Sequence, residues 1–110
     1  MTTLQVLFGA NATQDAATIT ISKADLDAMV PGYVPAVNNS GDEVAAAIAY
    51  HLGQTATESA RGTDSTRRFT CTYAGYDVVS RSGLTDGDYD RRDLFTAIWY
   101  TPQPNAPFTL

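Results

Sequence analysis

One cysteine, one lysine and one histidine are spread over 110 residues, and only 17% of the chain carries charge. A single cysteine, Cys71, excludes an internal disulfide and any zinc site built on several cysteines. The shortage of lysine leaves a net charge of −5, which repels phosphate backbones and anionic lipid headgroups. Neither nucleic acid nor a membrane is therefore expected as a partner. The pairs Arg67-Arg68 and Arg91-Arg92 read as strand-end charges that discourage edge pairing. No apolar run reaches the length of a membrane span. The first residues lack the basic region, apolar run and cleavage site of a signal peptide, so the chain is expected to be made and assembled in the cytoplasm. With so few charges, hydroxyls must solvate much of the surface, and threonine fills 15 positions. That suits strands.

The segment Asn38 to Leu52 carries the clearest pattern. Ser40 followed by Glu43 is a capping box, and Asp42 and Glu43 place negative charge at the positive end of a helix dipole. Val44, Ile48 and Leu52 recur every four residues with Ala45, Ala47 and Ala49 beside them, an apolar stripe of helical period. A helix over about 41–53 follows, ending at Gly53, with Gln54 to Ala60 able to add further turns.

Around it the pattern is mainly β. Thr3 to Phe8 reads as a strand or an extended arm, although Leu7 falls out of step with Leu4 and Val6. Ala17 to Ser22 alternates cleanly and predicts a strand with Ile19 and Ile21 on one face. Ser22 to Asp25 can cap a short helical piece in which Leu26, Met29 and Val30 face inward before Pro31-Gly32 stops it. Tyr33 to Val37 is extended, because a residue preceding proline leaves the α region.

In the second half, Arg67 to Tyr73 alternates, Ala74-Gly75 interrupts, and Tyr76 to Ser80 resumes. This is either a hairpin or one long strand with a bulge. Cys71 lies on the same face as Phe69 and Tyr73, as a small buried hydrophobe. Arg81 to Tyr89 reads as a loop. Leu94 to Tyr100 is apolar on both faces, so it should be central or covered by a partner subunit. Length gives one domain, 1–110, with 1–10 and 101–110 as arms. The fold class is α+β: a small antiparallel or mixed sheet packed on one main helix, with extended N- and C-terminal arms.

Chemistry-bearing patterns are weak. Asp86-Gly87-Asp88-Tyr89-Asp90 offers alternate carboxylates to a hard cation. An EF-hand loop starting at Asp86 would need glycine where Arg91 stands and glutamate where Ala97 stands, so a solvated turn is the plainer reading. His51 has no triad partner placed by sequence and no H-E-x-x-H motif. No acid–base pair or phosphate-binding glycine loop can be named. The sequence thus assigns no catalytic, cofactor-binding or metal-binding residue. Asn11-Ala12-Thr13 and Asn38-Asn39-Ser40 match the glycosylation sequon, but loop and cap chemistry explains both.

Aromatics are more telling. Tyr33, Tyr50, Tyr73, Tyr76, Tyr89, Trp99 and Tyr100 combine apolar area with a polar tip, a composition enriched at interfaces. Candidate contact residues are Leu4, Val6 and Phe8 at one end, Trp99 and Tyr100 in the last strand, and Phe108 and Leu110 on a proline-rich arm.

The order of Ala17-Thr18-Ile19-Thr20-Ile21-Ser22-Lys23-Ala24-Asp25-Leu26, then Pro35-Ala36-Val37-Asn38-Asn39-Ser40, then an alanine-rich helix and a β half, resembles small virion structural proteins of tailed bacteriophages, in particular those infecting cyanobacteria. The resemblance implies a non-enzymatic homo-oligomeric subunit located in the virion, needing no cofactor. Its partners would be identical subunits and a major capsid or tail protein. A capsid decoration (cement) subunit is the leading expectation, with a tail or head–tail connector subunit as the alternative. Other classes are a small ligand- or calcium-binding module using the aspartate loop and a small hydrolase around His51.

Overall fold

The computed structural model describes residues 2–26, 33–80 and 88–103. The fold is α+β. Helix α1 (Leu4–Phe8) leads into a minimal hairpin of β1 (Thr13–Gln14) and β2 (Ile19–Thr20) and a 3₁₀ turn, Lys23–Leu26. Helices α2 (Gly41–Thr55) and α3 (Glu58–Thr63) follow, and two long strands, β3 (Phe69–Ser80) and β4 (Tyr89–Trp99), close the order. β1 pairs antiparallel with β2, and β3 with β4, as two separate two-stranded sheets.

The first segment corrects the expectation of a strand or extended arm. The out-of-step Leu7 was the signal: Leu4, Leu7 and Phe8 stand at i, i+3 and i+4, the spacing of one helix face. Thr3 caps the helix by accepting from Val6 N at 3.2 Å. The turn is docked on the end of α2, where Thr55 Oγ1 donates to Leu7 O at 2.9 Å. Gly9 ends it with φ 105°, crowded by Asp25, so a side chain has neither the backbone conformation nor the room there.

The strand expected over 17–22 shrinks to Ile19–Thr20. Asp15 folds the chain back early: its Oδ1 accepts from the backbone of Ala17 and Thr18 at 2.8 Å each and from the Thr18 hydroxyl. That short turn leaves only two residues of β1 to pair with. Ile21 still packs on the core, whereas Ile19 faces solvent. In the 3₁₀ turn Leu26 is buried as expected; Met29, Val30 and the Pro31-Gly32 stop lie outside the described residues.

α2 keeps its capping box. Ser40 Oγ accepts from Glu43 N, and Ser40 N donates to Glu43 Oε1, both at 3.1 Å. Ahead of the cap, Asn39 organises the approach by donating to Val34 O and accepting from Ala36 N, both at 2.9 Å. Gly53 is not the terminator. α2 continues to Thr55, and the chain turns at Ala56 into the Thr57 cap of α3. Gly53 instead faces the ribbon: a Cβ there would stand 3.8 Å from Phe95 Cε1 and 3.9 Å from Tyr73, ordinary contact distances.

β3 and β4 form one long antiparallel ribbon with Tyr73 opposite Phe95 and Tyr76 opposite Asp93. Three residues on β3 thus span two on β4, a bulge at Ala74-Gly75 with Gly75 at φ 90°. β4 begins at Tyr89, five residues before the apolar run that announced it. It is not central: among the described residues it has only β3 beside it.

The core is small. Among the described residues the buried apolar side chains are Ala12, Leu26, Tyr33, Ala47, Ala56 and Cys71, half of them alanines. Leu26, Tyr33 and Ala47 form one cluster with Ile21 and Ile48 against it. Val44, Ile48 and Leu52, the helical stripe, are each only half-buried. The radius of gyration, 17.5 Å, exceeds the about 13 Å of a compact chain of this length.

Gly53→Ala should raise the unfolding free energy by roughly 0.5–1 kcal/mol, since the added methyl finds ordinary contact and helix propensity improves. Ser40→Ala should lower it by about 1 kcal/mol through loss of the cap. Both are read from urea midpoints at unchanged slope.

Candidate protein interface

The ribbon has two faces and two ends. Opposite residues of an antiparallel pair share a face, so Phe69, Cys71, Tyr73, Tyr76 and Val78 lie with Tyr89, Arg91, Asp93, Phe95 and Trp99. α2 covers only the middle of this face. Tyr50 packs edge-on against Phe95 with ring centroids 5.0 Å apart and lies 5.7 Å from Tyr73. Cys71 is buried beneath the helix near Ala49 O, and burial pushes its thiol above the usual range. A protonated, enclosed thiol is a packing group, as the sequence indicates.

Beyond α2 the same face is bare. Tyr76 and Val78 are each 59% exposed and Tyr89 57%. The charges between them are held internally. Tyr73 Oη donates to Asp93 at 2.7 Å, Arg91 donates to the same carboxylate at 3.0 Å, and the Arg91 guanidinium lies 4.0 Å above the Tyr76 ring. The Tyr73 bond, with Tyr50 and Arg91 adding to it, keeps Asp93 below the ordinary carboxylate range. Burial, then the Asp93 carboxylate, pushes Tyr50 up to about 12. On the opposite face Arg92 pairs with Asp77 at 2.5 Å. Leu94 and Ile98 on that face are exposed beside the threonine pair Thr72 and Thr96.

At the ribbon's other end the candidate contact residues separate. Trp99 is 63% exposed, with the Arg68 guanidinium 4.5 Å over its ring. It forms one wall of an apolar cleft of about 200 Å³ with Leu7, Phe69, Thr2, Thr66 and Arg68. The structure thus brings the N-terminal segment to Trp99, but through Leu7. Leu4 and Phe8 are half-buried; Val6 is exposed.

Tyr100 is tied to its own domain. Its hydroxyl donates to Glu58 at 2.9 Å, and Arg61 stacks over the ring at 3.6 Å. Thr70 Oγ1 reaches the same carboxylate at 2.6 Å. Those hydrogen bonds, from Thr70 first and then Tyr100, hold Glu58 below its ordinary range. Phe108 and Leu110 lie outside the described residues.

Tyr76, Tyr89 and the Leu94 to Tyr100 run stand out in the sequence, but Tyr76, Val78, Tyr89, Leu94 and Ile98 are not among its candidate contact residues. The available signal was the resumed alternation after Gly75, which extends β3 well past the reach of a helix of 15 residues.

For chemistry the arrangement offers little. His51 is half-buried, and its Nε2 has no hydrogen-bond partner among the described residues. No group of three metal-ligating side chains occurs among the described residues; Asp86 and Gly87 of the aspartate loop lie outside them.

Glu58→Gln gives a pH test of the Tyr100 clamp. A carboxyl held below its unfolded value of 4.5 stabilises the fold above that pH and ceases to as pH falls through the lower folded value. The variant should therefore melt lower at neutral pH and lose less of its stability on acidification than the parent. Thermal melts across the acid range check both.

Comparison with protein-family models, with curated proteins and with solved structures finds no match.

Proposed function

We propose that this chain is a non-enzymatic virion structural protein, a capsid decoration subunit of a tailed bacteriophage. In this role it stabilises a shell by self-association and by contacts with the major capsid protein. The observation that carries the reading is the bare ribbon: Tyr76, Val78, Tyr89, Leu94, Ile98 and Trp99 are all exposed on a two-stranded element. An isolated two-stranded ribbon is marginal in water, and exposed apolar surface of this kind marks contact with other protein. The resemblance of the chain's order of segments, from Ala17 through the alanine-rich helix to the β half, to phage virion proteins supplies the class of assembly. Arg91 and Arg92 are already paired with Asp93 and Asp77 on the ribbon, which limits the desolvation cost of such a contact. Phe108 and Leu110 act in this reading as anchors on the shell.

Coexpression with the major capsid protein encoded nearest to its gene tests the role. The chain should cosediment with the assembled shells and delay their thermal disruption. Deleting 104–110 should remove it from the shells while its own melting curve stays in place. Shells that assemble without recruiting the intact chain would overturn the decoration role. An unchanged truncated protein would overturn the anchoring segment alone.

A further inference from the structure

The outer edge of β4 has the properties of a strand built to pair. Tyr100 N donates inward to Arg68 O at 2.7 Å. By ladder alternation the even-numbered residues of β4 direct their amides to β3 and the odd-numbered ones direct theirs outward. Those outward groups run along a strand of 11 residues. Edge strands are normally blunted by brevity, proline, lysine, a bulge or inward charge. β4 has no proline, glycine or lysine, and the bulge sits on β3. Its two arginines are already paired with Asp93 and Asp77 of the same ribbon.

We infer that β4 pairs antiparallel with β4 of a second copy, about a two-fold axis at Leu94, to make a four-stranded sheet ordered β3-β4-β4-β3. This specifies the self-association on which the proposed function rests. The register follows from the residues. Exposed aromatics, Tyr89 and Trp99, stand at the two ends of β4 on one face, equidistant from Leu94. An axis at Leu94 sets Tyr89 opposite the partner subunit's Trp99 at both ends, an aromatic cross-strand pair of the favourable kind. Asp90 then faces the partner's Ile98, Arg91 the partner's Ala97, Arg92 the partner's Thr96, and Asp93 the partner's Phe95. No like charges meet. Odd residues oppose odd, so outward amides meet outward carbonyls and about ten backbone hydrogen bonds form, the number typical of a specific interface.

The axis stands perpendicular to the sheet, which puts both copies of α2 on the same face at opposite ends. The bare Tyr89 end of each ribbon then lies alongside the helix-bearing end of the other. The contact is isologous and closes on itself, so the edge is consumed rather than passed on to a fibre.

The test is made on the full chain by light scattering and chemical crosslinking. The parent should have twice the 11.8 kDa of the chain. Leu94→Arg and Leu94→Glu place like charges across the axis, so each alone should be monomeric, and mixing them should restore the dimer. Leu94→Cys should crosslink quantitatively on oxidation, because a non-hydrogen-bonded pair holds its Cα atoms about 4.5 Å apart, within disulfide reach. Thr96→Cys, displaced from the axis, should not. A parent that remains monomeric overturns both this pairing and self-association. A dimeric parent whose Leu94→Arg and Leu94→Glu forms stay dimeric, with Leu94→Cys uncrosslinked, overturns the β4 contact and leaves self-association through another surface.

Discussion

The contact of Tyr50 and Gly53 with Tyr73 and Phe95 is the joint on which the molecule depends. It is the place where the one long helix meets the one long ribbon, with the Tyr50 ring edge-on to Phe95. The helix has 15 residues and rises about 1.5 Å for each, while a strand residue advances about 3.3 Å. A helix lying on this ribbon therefore covers only part of it. The uncovered aromatic end of the ribbon descends from that mismatch of lengths.

Electrostatics holds the uncovered part in shape without a core. Tyr73, Asp93, Arg91 and Tyr76 form a chain of contacts on one face, and Asp77 with Arg92 ties the strands on the other. Exposed ion pairs of this sort contribute little to stability singly. Their larger effect is on recognition, because Arg91, Arg92 and Asp93 of β4 are paired within the subunit and present little net field to a neighbour. The fold thereby retains polar side chains for solubility while leaving the strand free to meet apolar surface.

Much of the fold was legible in the sequence, and the parts that were not have physical causes. The capping box at Ser40 and Glu43 is local and self-contained, so it transfers intact from sequence to structure. Cys71 reads correctly as a buried hydrophobe because its neighbours at i±2 share its face. Gly53 misleads as a helix stop, since a glycine is tolerated inside a helix at a cost of about 1 kcal/mol and nothing nearby in sequence distinguishes the uses. The Leu4 to Phe8 segment is too short for one period to win over the other, and its docking through Thr55 is a contact 48 positions away. Of the proposed contact residues, Trp99 and Val6 are exposed, while Tyr100 is occupied by Glu58, a partner 42 positions distant. The apolar run of the last strand announced a surface in need of cover. Its extension back to Tyr89 stayed hidden behind the charged run Asp90 to Asp93, in which Arg92 finds its partner, Asp77, on the opposite strand.

The bulge at Ala74-Gly75 acts as a phase shift in the alternation of β3. Tyr73 and Tyr76, an odd number of residues apart, end up on one side of the ribbon because one extra residue is absorbed between them. Were that residue instead paired in regular alternation, the far part of β3 would be rotated by half a turn against β4. Val79 and Asp77 would then share a side with Asp93 and Arg91, and the tyrosine would leave the guanidinium that now covers it. A single glycine conformation thus decides which chemistry each side of the ribbon displays.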